Sequence, residues 1–183
     1  MTENAFLETA RRVIRVESAA LRALETSVDE SFSQAIDLLL SAKGRVIVCG
    51  MGKSGHIARK IAATFASTGT PAQFVHPAEA SHGDLGMMAR GDVALIISYT
   101  GETPELADVI AYTRRFSIPL IGVASRAESA LIQQSDVALI LPQVEEACGQ
   151  GIVPTSSTTM TLALGDAQAV ALKEHRHFTP AKI

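Results

Sequence analysis

The chain has 183 residues, enough for one domain with a substantial core. Hydrophobic residues make up 47% and charged residues 19%, a composition that is typical of a globular protein and excludes a disordered one. The net charge of −3 excludes a strong general attraction for nucleic acid, so we expect no nucleic-acid partner. No run approaches 18 apolar residues, and the polar N-terminus carries no signal segment. We therefore expect a cytoplasmic protein with no membrane partner, whose Cys49 and Cys148 are reduced thiols.

Two amphipathic helices are predicted within residues 1–43, because apolar residues recur there at helical spacing. The first stripe consists of Phe6, Ala10, Val13, Ile14, Leu21 and Leu24, and the second of Phe32, Ile36, Leu39 and Leu40. The first helix lies outside the strand and helix alternation that follows it. Its stripe either covers the sheet or packs on another subunit, and the sequence leaves both alternatives open.

Short apolar strands alternate with helices in the remaining residues, 44–183. Strands are predicted at 45–49, 72–75, 92–98, 120–124 and 137–141, and helices at 55–68, 104–115, 127–134 and 158–175. This alternation predicts an α/β fold, a three-layer αβα sandwich around a five-stranded parallel sheet with an N-terminal helical extension. We expect a single domain over 1–183. Ligands of such sheets bind beyond the carboxyl ends of the strands, where functional residues are therefore expected.

The first strand runs into a glycine-rich turn, Gly50-Met-Gly52-Lys53-Ser54-Gly55. The glycines allow a tight turn and a close approach of the backbone to a ligand. Ser54 is placed to cap the helix that follows, and a strand, a glycine turn and a helix N-terminus together make an anion site.

Two nucleotide-binding interpretations of this turn fail. The pattern matches G-x-G-x-x-G, but a dinucleotide site also needs an acidic residue after the second strand. That strand, Ala72–Val75, leads into His76 and Pro77 without a carboxylate. A P-loop requires a glycine five positions before Gly52, where the chain has Ile47.

Hydroxyl side chains follow two other strands. After the third strand come Ser98, Thr100 and Thr103, with Thr103 as the N-cap, Pro104 as the first helical residue and Glu105 as the second. A second group, within Pro154-Thr-Ser156-Ser157-Thr-Thr159, opens the last long helix. Neutral donors at helix N-termini suit a phosphate monoester, so the sequence predicts a small phosphorylated ligand.

Titratable side chains follow the second and fifth strands. Residues 76–84 contain two histidines and two acids, but their spacing matches no compact zinc motif, so no metal is expected. These histidines either carry protons near neutral pH or bond to the backbone, and both interpretations stay open. Glu145 and Glu146 follow the fifth strand, where a carboxylate would point at the ligand crevice.

These segments, taken in order, resemble the sugar isomerase (SIS) domain family, and within it the bacterial arabinose 5-phosphate isomerases. The most specific matches are Gly50-Met-Gly-Lys-Ser-Gly-His56, Phe65-Ala-Ser-Thr-Gly-Thr-Pro71, Val75-His-Pro77, His82-Gly-Asp-Leu-Gly86, Ser98-x-Thr-Gly-Glu102, Glu146-Ala-Cys148 and Pro154-Thr-Ser-Ser-Thr-Thr159. The resemblance implies a five-stranded parallel sheet between helices. It also implies interconversion of D-arabinose 5-phosphate and D-ribulose 5-phosphate, without a cofactor, in a homo-oligomer such as a tetramer.

The resemblance also implies roles for particular residues. Lys53, His82, Glu105 and Glu146 match active-site positions of the family, and Ser98, Thr100 and Thr103 match its phosphate loop. Gly52, Ser54, Ser156 and Ser157 complete the expected substrate-binding set. We hypothesise Glu146, with a pKa raised by burial, as the base at C1 and C2, and His82 as the group that assists ring opening. Lys53 would stabilise the enediolate, and Glu105 would act as a secondary acid or orienting carboxylate.

Two departures from the family keep other functions open. A His-Pro-Gly-Gly segment that the family carries beyond the region matching 178–183 is not in this sequence, and neither is a pair of CBS domains. His175 and His177 lie on the preceding helix and are poor substitutes for the missing histidine. A sugar-phosphate-binding sensor is therefore the main alternative, followed by a related isomerase of hexulose or heptulose phosphates.

Overall fold

The computed structural model describes residues 3–177 and Ala181. Its helices are α1 (Glu3–Ser27), α2 (Glu30–Ser41), α3 (Gly52–Ser67), α4 (Pro77–Ala80), α5 (Ala107–Arg115), α6 (Ala130–Gln133) and α7 (Ser156–His175). Its strands are β1 (Val46–Gly50), β2 (Ala72–Val75), β3 (Val93–Ile97), β4 (Leu120–Ala124) and β5 (Val137–Ile140). Short 3₁₀ helices span Asp84–Met87 and Pro104–Leu106.

The strands form one parallel sheet in the order β2-β1-β3-β4-β5, which confirms the predicted α/β fold. The path through the sheet starts at the central strand β1 and moves outward to β2 at the edge. It then crosses back to β3 on the other side of β1. A topological switch point therefore lies between β1 and β3, where Gly50 is paired with Ile97. Ligand crevices of open α/β sheets form at this position, beyond the carboxyl ends of the strands.

The core has two layers, one on each face of the sheet. Val46 and Val48 of β1 face the layer that contains α2, α3 and α7, while Ile47 and Cys49 face α4, α5 and α6. All of β1, β3 and β4 is buried, as the continuous apolar runs of these strands predict. Both cysteines are free, and burial raises the pKa of the Cys49 thiol to about 12, so this thiol stays protonated.

Helices α3 and α7 pack side by side and run in the same direction. Lys60 pairs with Asp166 at 2.5 Å, and Arg176 donates to the Thr70 hydroxyl at 2.5 Å just beyond the end of α3. Both contacts join residues 106 positions apart, so the two helices stay in register along their length. Their N-termini are consequently neighbours at the edge where the strands end.

The helix boundaries differ from the predicted ones mainly at N-termini. Helix α3 starts at Gly52 with Met51 as its N-cap, so the prediction that Ser54 caps this helix was wrong. Helix α7 starts two residues earlier than predicted, at Ser156. Thr103 is the N-cap residue predicted for the next helix, but the first turn there, Pro104–Leu106, is 3₁₀. The helix predicted at 127–134 shortens to Ala130–Gln133.

Helix α1 packs against α7, and its apolar stripe is divided between two environments. Leu24 is buried, whereas Phe6, Ile14 and Leu21 are 56%, 65% and 37% exposed. One side of the stripe therefore stays open to solvent. Among residues 3–177, none of the helices combines the length and the apolar character needed to cross a bilayer.

Candidate active site

The turn after β1 is shaped by close backbone packing. A Cβ atom at Gly55 would lie 2.6 Å from the carbonyl oxygen of Gly50, so only glycine allows α3 to start this close to the strand. Lys53 is exposed in the first turn of α3 and makes no hydrogen bond or ion pair with the described residues. Its ammonium is therefore available to an anion beyond the end of the sheet.

The loop after β3 is organised around Ser98, which is 3% exposed. Its hydroxyl accepts a hydrogen bond from the amide of Gly101 at 3.0 Å and lies 2.8 Å from the hydroxyl of Thr103. The Thr100 hydroxyl is exposed and accepts from the amide of Glu102 at 3.3 Å. These bonds hold a compact hydroxyl-bearing loop immediately beside the turn that follows β1.

The segment between β2 and β3 separates the two histidines. His76 Nδ1 accepts a hydrogen bond from the amide of Ala78 at 3.2 Å and caps α4, so the backbone-bonded interpretation is confirmed for His76. His82 is exposed, and its ring has no hydrogen-bond partner among residues 3–177 and Ala181. Ser81 donates to Asp108 at 2.7 Å and thereby fixes this segment beside the start of α5. The proton-carrier role of His82 stays a prediction.

The Glu146 carboxylate sits at the N-terminus of α7. Its Oε2 atom accepts hydrogen bonds from the Thr155 amide at 2.7 Å, the Thr155 hydroxyl at 3.1 Å and the Ser157 amide at 3.3 Å. Ser156 is buried, and its hydroxyl accepts from the Ala147 amide at 3.2 Å. Glu146 is therefore held on the last helix while remaining partly exposed to solvent.

The pKa of Glu146 is lowered, which contradicts the expectation that burial raises it. Burial does act in the raising direction, but hydrogen bonds from Ser157 and Thr155 stabilise the anion and together outweigh it. The Ser157 hydroxyl is buried and faces this carboxylate, although it forms no hydrogen bond of ordinary geometry within the described part of the chain. Glu146 is consequently ionised at neutral pH.

The fold brings most of the predicted site residues to one edge of the sheet. The β1–β3 pairing places the turn of Gly52, Lys53 and Ser54 beside the loop 98–103, and the parallel packing of α3 and α7 adds the loop 146–157. His82 and Glu105 lie on segments that pack together through α4 and the Pro104–Leu106 turn, and both are exposed.

The four predicted catalytic side chains are not joined to one another. No hydrogen bond or ion pair links Lys53, His82, Glu105 and Glu146 within the described residues. Nor do three or more His, Cys, Asp or Glu side chains in the described ranges converge in a way that could hold a metal ion. The arrangement offers separate charges around a hydroxyl-lined edge, which suits a small polar anion.

Three residues that organise the site were missed in the sequence. Arg12 of α1 donates to the carbonyl of Ala147 at 3.0 Å, and Glu17 of α1 accepts from the Thr159 hydroxyl at 3.0 Å. These partners are 135 and 142 positions away, so no local pattern signals them. Thr155 belongs to the hydroxyl run, but its bonds to Glu146 depend on where α7 begins.

Comparison of the sequence with known proteins is consistent with this fold. The SIS domain family matches residues 38–171. The arabinose 5-phosphate isomerase KdsD of Pseudomonas aeruginosa is 49% identical over 174 residues, and that of Escherichia coli K12 is 48% identical over 174 residues. These alignments include 95% of this chain and 53% of each relative, so the chain spans about half the length of these curated relatives.

A solved structure matches the chain along its whole length. The E. coli CFT073 protein c3406, in complex with A5P, superposes with a TM-score of 0.96 at 40% identity. The superposition covers 100% of this chain and 97% of that one. The family match extends over well more than half of the residues and coincides with the parallel sheet and its crossovers. The chain therefore belongs to the SIS domain family.

Proposed function

We propose that this chain is an aldose–ketose isomerase domain that interconverts D-arabinose 5-phosphate and D-ribulose 5-phosphate. The observation that carries the proposal is the position of the ionised Glu146 carboxylate at the same sheet edge as the hydroxyl-bearing loop 98–103. A phosphate group on the loop would leave the sugar carbons within the crevice that Glu146 borders. The KdsD relatives and the A5P complex of c3406 support this choice of substrate.

The phosphate would bind mainly through neutral donors. Ser98, Thr100 and Thr103 supply hydroxyls after β3, and Gly52 and Ser54 add backbone and hydroxyl donors at the start of α3. Ser156 and Ser157 extend this set across the first turn of α7. Exposed N–H groups in the first turns of helices complement a doubly charged phosphate.

Isomerisation moves a proton between C2 and C1 through an enediolate, so one base has to reach both carbons. Glu146 is ionised, which is the form a base requires, and its hydrogen bonds to the described residues all end on the Oε2 atom. The carboxylate takes the proton from C2, and the electron pair of that C–H bond moves through C1 to the C1 oxygen. A proton then passes from the C2 oxygen to the C1 oxygen. Finally the carboxylate returns its proton to C1 as the C2 carbonyl forms. Binding of the sugar would remove water from the carboxylate and raise its pKa toward a useful value.

The other charged residues complete the mechanism. Lys53 has no partner among the described residues and would stabilise the negative oxygen of the enediolate. His82 would transfer protons during opening of the furanose ring, because an imidazole can both donate and accept a proton. Glu105, the second residue of the turn Pro104–Leu106, would orient a sugar hydroxyl or act as a secondary acid.

The cellular setting and the assembly are part of the same proposal. We place the reaction in the cytoplasm, where two free cysteines stay reduced, and as the first step toward 3-deoxy-D-manno-octulosonate for lipopolysaccharide. We further propose one SIS domain over 1–183, in which residues 44–183 hold the site, assembled as a homotetramer. The exposed apolar side of α1 supports association, because a lone helix rarely leaves such a stripe in water.

The direct test is to incubate the protein with D-arabinose 5-phosphate in deuterated buffer and to follow the sugar by NMR. We expect ribulose 5-phosphate to appear together with deuterium at the exchanged carbon. Glu146→Gln should reduce this rate by several orders of magnitude while saturation-transfer contacts to the sugar phosphate persist. D-ribose 5-phosphate, which differs only in the configuration at C2, serves as the substrate control.

Two other outcomes would contradict the proposal in different ways. Binding without exchange in the unsubstituted protein would indicate a sugar-phosphate sensor. Exchange with a hexulose 6-phosphate but not with arabinose 5-phosphate would keep the isomerase chemistry and correct the substrate.

A further inference from the structure

We propose that Thr155 is a positioning residue for Glu146, holding the Oε2 atom at the start of α7 so that Oε1 is the oxygen that carries the substrate proton. The proposal deepens the isomerase function above and rests on it for its kinetic consequences. Its structural basis is independent of the substrate, because it concerns contacts within the chain alone.

The two Thr155 contacts are the closest that Glu146 makes. Both the amide and the hydroxyl of Thr155 donate to Oε2, at 2.7 and 3.1 Å. The third donor to Oε2 is the amide of Ser157, at 3.3 Å. Within the described part of the chain, no hydrogen bond of ordinary geometry reaches Oε1, so its lone pairs are available to take a proton from a sugar carbon.

A further hydrogen bond determines which way the Thr155 hydroxyl proton points. The amide of Cys148 donates to Thr155 Oγ1 at 3.4 Å, which uses a lone pair of that oxygen. The hydroxyl proton is then free to point at Glu146, so the three groups form a chain from Cys148 through Thr155 to the carboxylate. A hydroxyl oriented in this way stabilises the ionised carboxylate more than the protonated one.

The Glu146 carboxylate also acts as the N-terminal cap of α7. Thr155 is the N-cap of the 20-residue α7, but its own side chain makes no capping bond. The Glu146 carboxylate takes that role from nine residues upstream and accepts two of the free N–H groups at the helix start. A negative charge is favoured at this end of a helix, which agrees with the lowered pKa of Glu146.

Other polar and charged groups lie around the start of α7, and a test of Thr155 has to leave their contacts unchanged. Arg12 and Glu17 of α1 contact Ala147 and Thr159, and the Cys148 thiol follows in the same loop. Lys53 lies in the first turn of the neighbouring α3. None of these contacts passes through the Thr155 hydroxyl, so replacing that hydroxyl leaves these charged groups in place.

Thr155→Val removes the hydroxyl but keeps the shape and the amide, and Thr155→Ser keeps the hydroxyl and the amide. Thr158→Val is the matched control, because the Thr158 hydroxyl donates to the Thr155 carbonyl at 2.8 Å and not to Glu146. In Thr155→Val we expect the acid limb of the kcat/KM profile to move to higher pH, because the Thr155 hydroxyl no longer stabilises the ionised carboxylate. We also expect kcat to fall about tenfold with KM little changed. Thr155→Ser should keep the acid limb and kcat of the unsubstituted protein.

A second measurement separates this proposal from the proposed function. Titration of the Glu146 carboxyl carbon by ¹³C NMR, assigned with Glu146→Gln, should show the same upward pKa shift in Thr155→Val without any substrate. If no variant is an isomerase but the NMR pKa shifts, the contact is confirmed and the proposed function fails. An unchanged NMR pKa in Thr155→Val, or a change equal to that of Thr158→Val, would overturn the positioning role. If Thr155→Val does not fold, the smaller Thr155→Ala carries the same comparison.

Discussion

Gly101 is the residue on which the loop after β3 depends. Its φ angle of 73° lies in the left-handed region, and a Cβ atom there would lie 2.0 Å from the Ser129 hydroxyl oxygen. We predict that Gly101→Ala lowers the free energy of unfolding by about 1–3 kcal/mol. It should also raise KM for the sugar phosphate about tenfold, since Ser98 and Thr103 move with the loop.

Gly151→Ala is the control for this prediction. Gly151 has a similar φ of 66°, but a Cβ atom there would meet nothing within 4 Å. Thermal melting and steady-state kinetics of both variants separate backbone strain from the clash with Ser129. Equal effects of the two substitutions would show that the packing of Gly101 on Ser129 does not matter.

Asp136 makes a pH-dependent contribution to stability. It accepts hydrogen bonds from Arg114 at 2.7 Å and from the Leu120 amide at 2.7 Å. The bond from Arg114, helped by the Leu120 amide, holds the pKa of Asp136 below its ordinary value despite the opposing effect of burial. A lowered pKa in the folded state stabilises the fold above the unfolded pKa, and this contribution is lost as pH falls through the folded pKa.

We therefore predict that Asp136→Asn lowers the free energy of unfolding at pH 7 by at most about 1 kcal/mol, because the pair is partly exposed. The difference from the unsubstituted protein should narrow as pH falls below about 4. Urea denaturation at pH 7, 4 and 3 measures this difference, with Asp37→Asn, at an exposed position of α2, as the control. A difference that grows on acidification would contradict the assignment.

At the residue scale, the sequence predicted where hydroxyls and carboxylates lie along the chain but not what they contact. The loop after β3 was predictable because Ser98, Gly101 and Thr103 bond within six residues of one another. The lowered pKa of Glu146 was not predictable, because its donors are nine and eleven residues away on a helix whose start was misplaced.

At the scale of elements, α3 and α7 approach closely because α7 carries a glycine at their contact. A Cβ atom at Gly165 would lie 2.4 Å from Cγ1 and 2.5 Å from Cδ1 of Ile61, a side chain that is 1% exposed. Alanine is favoured over glycine in a helix by about 1 kcal/mol, but overpacking a core costs about 1–3 kcal/mol. We predict that Gly165→Ala is destabilising by about 1 kcal/mol, as measured by urea denaturation.

A double-mutant cycle tests the cause. In an Ile61→Ala background the clash is gone, so Gly165→Ala should become neutral or stabilising. Ala167→Gly, at an exposed position of the same helix, measures how much the difference in helix propensity alone changes the free energy of unfolding. Additive effects of Gly165→Ala and Ile61→Ala would show that the two residues do not limit the approach of the helices.

The strands were easier to predict from the sequence than the helix starts. Strands buried on both faces read as continuous apolar runs, so β1, β3 and β4 were placed within a residue or two. Helix α7 is capped by a carboxylate from a separate loop, and α3 begins at a backbone turn around Met51. Local capping rules fail at both sites, because α7 is capped by a carboxylate from a distant loop and α3 starts without a side-chain capping bond.

For the molecule as a whole, α1 is both a support for the site and the main uncovered apolar surface. Arg12 and Glu17 hold the loop 146–159 from one side of the helix. Leu7, Ile14 and Leu21, spaced seven residues apart, stay exposed on another side. The sequence left open whether this helix covers the sheet or packs on another subunit. The structure places it against α7, and association with another subunit stays a proposal that its exposed side supports.

We predict that Ile14→Glu dissociates the proposed tetramer without unfolding the chain, because Ile14 is 65% exposed in the single chain and would be buried only on association. Sedimentation velocity should show a smaller species for Ile14→Glu, whereas Arg22→Glu, on the polar side of the same helix, should leave the mass unchanged. A monomeric mass for the unsubstituted protein at all concentrations would contradict the assembly. Activity measured on the dissociated variant then decides whether one chain suffices. The exposed Lys53, His82 and Glu105 have no hydrogen-bond or ion-pair partner among the residues that the structure describes, so we expect activity to fall with the mass.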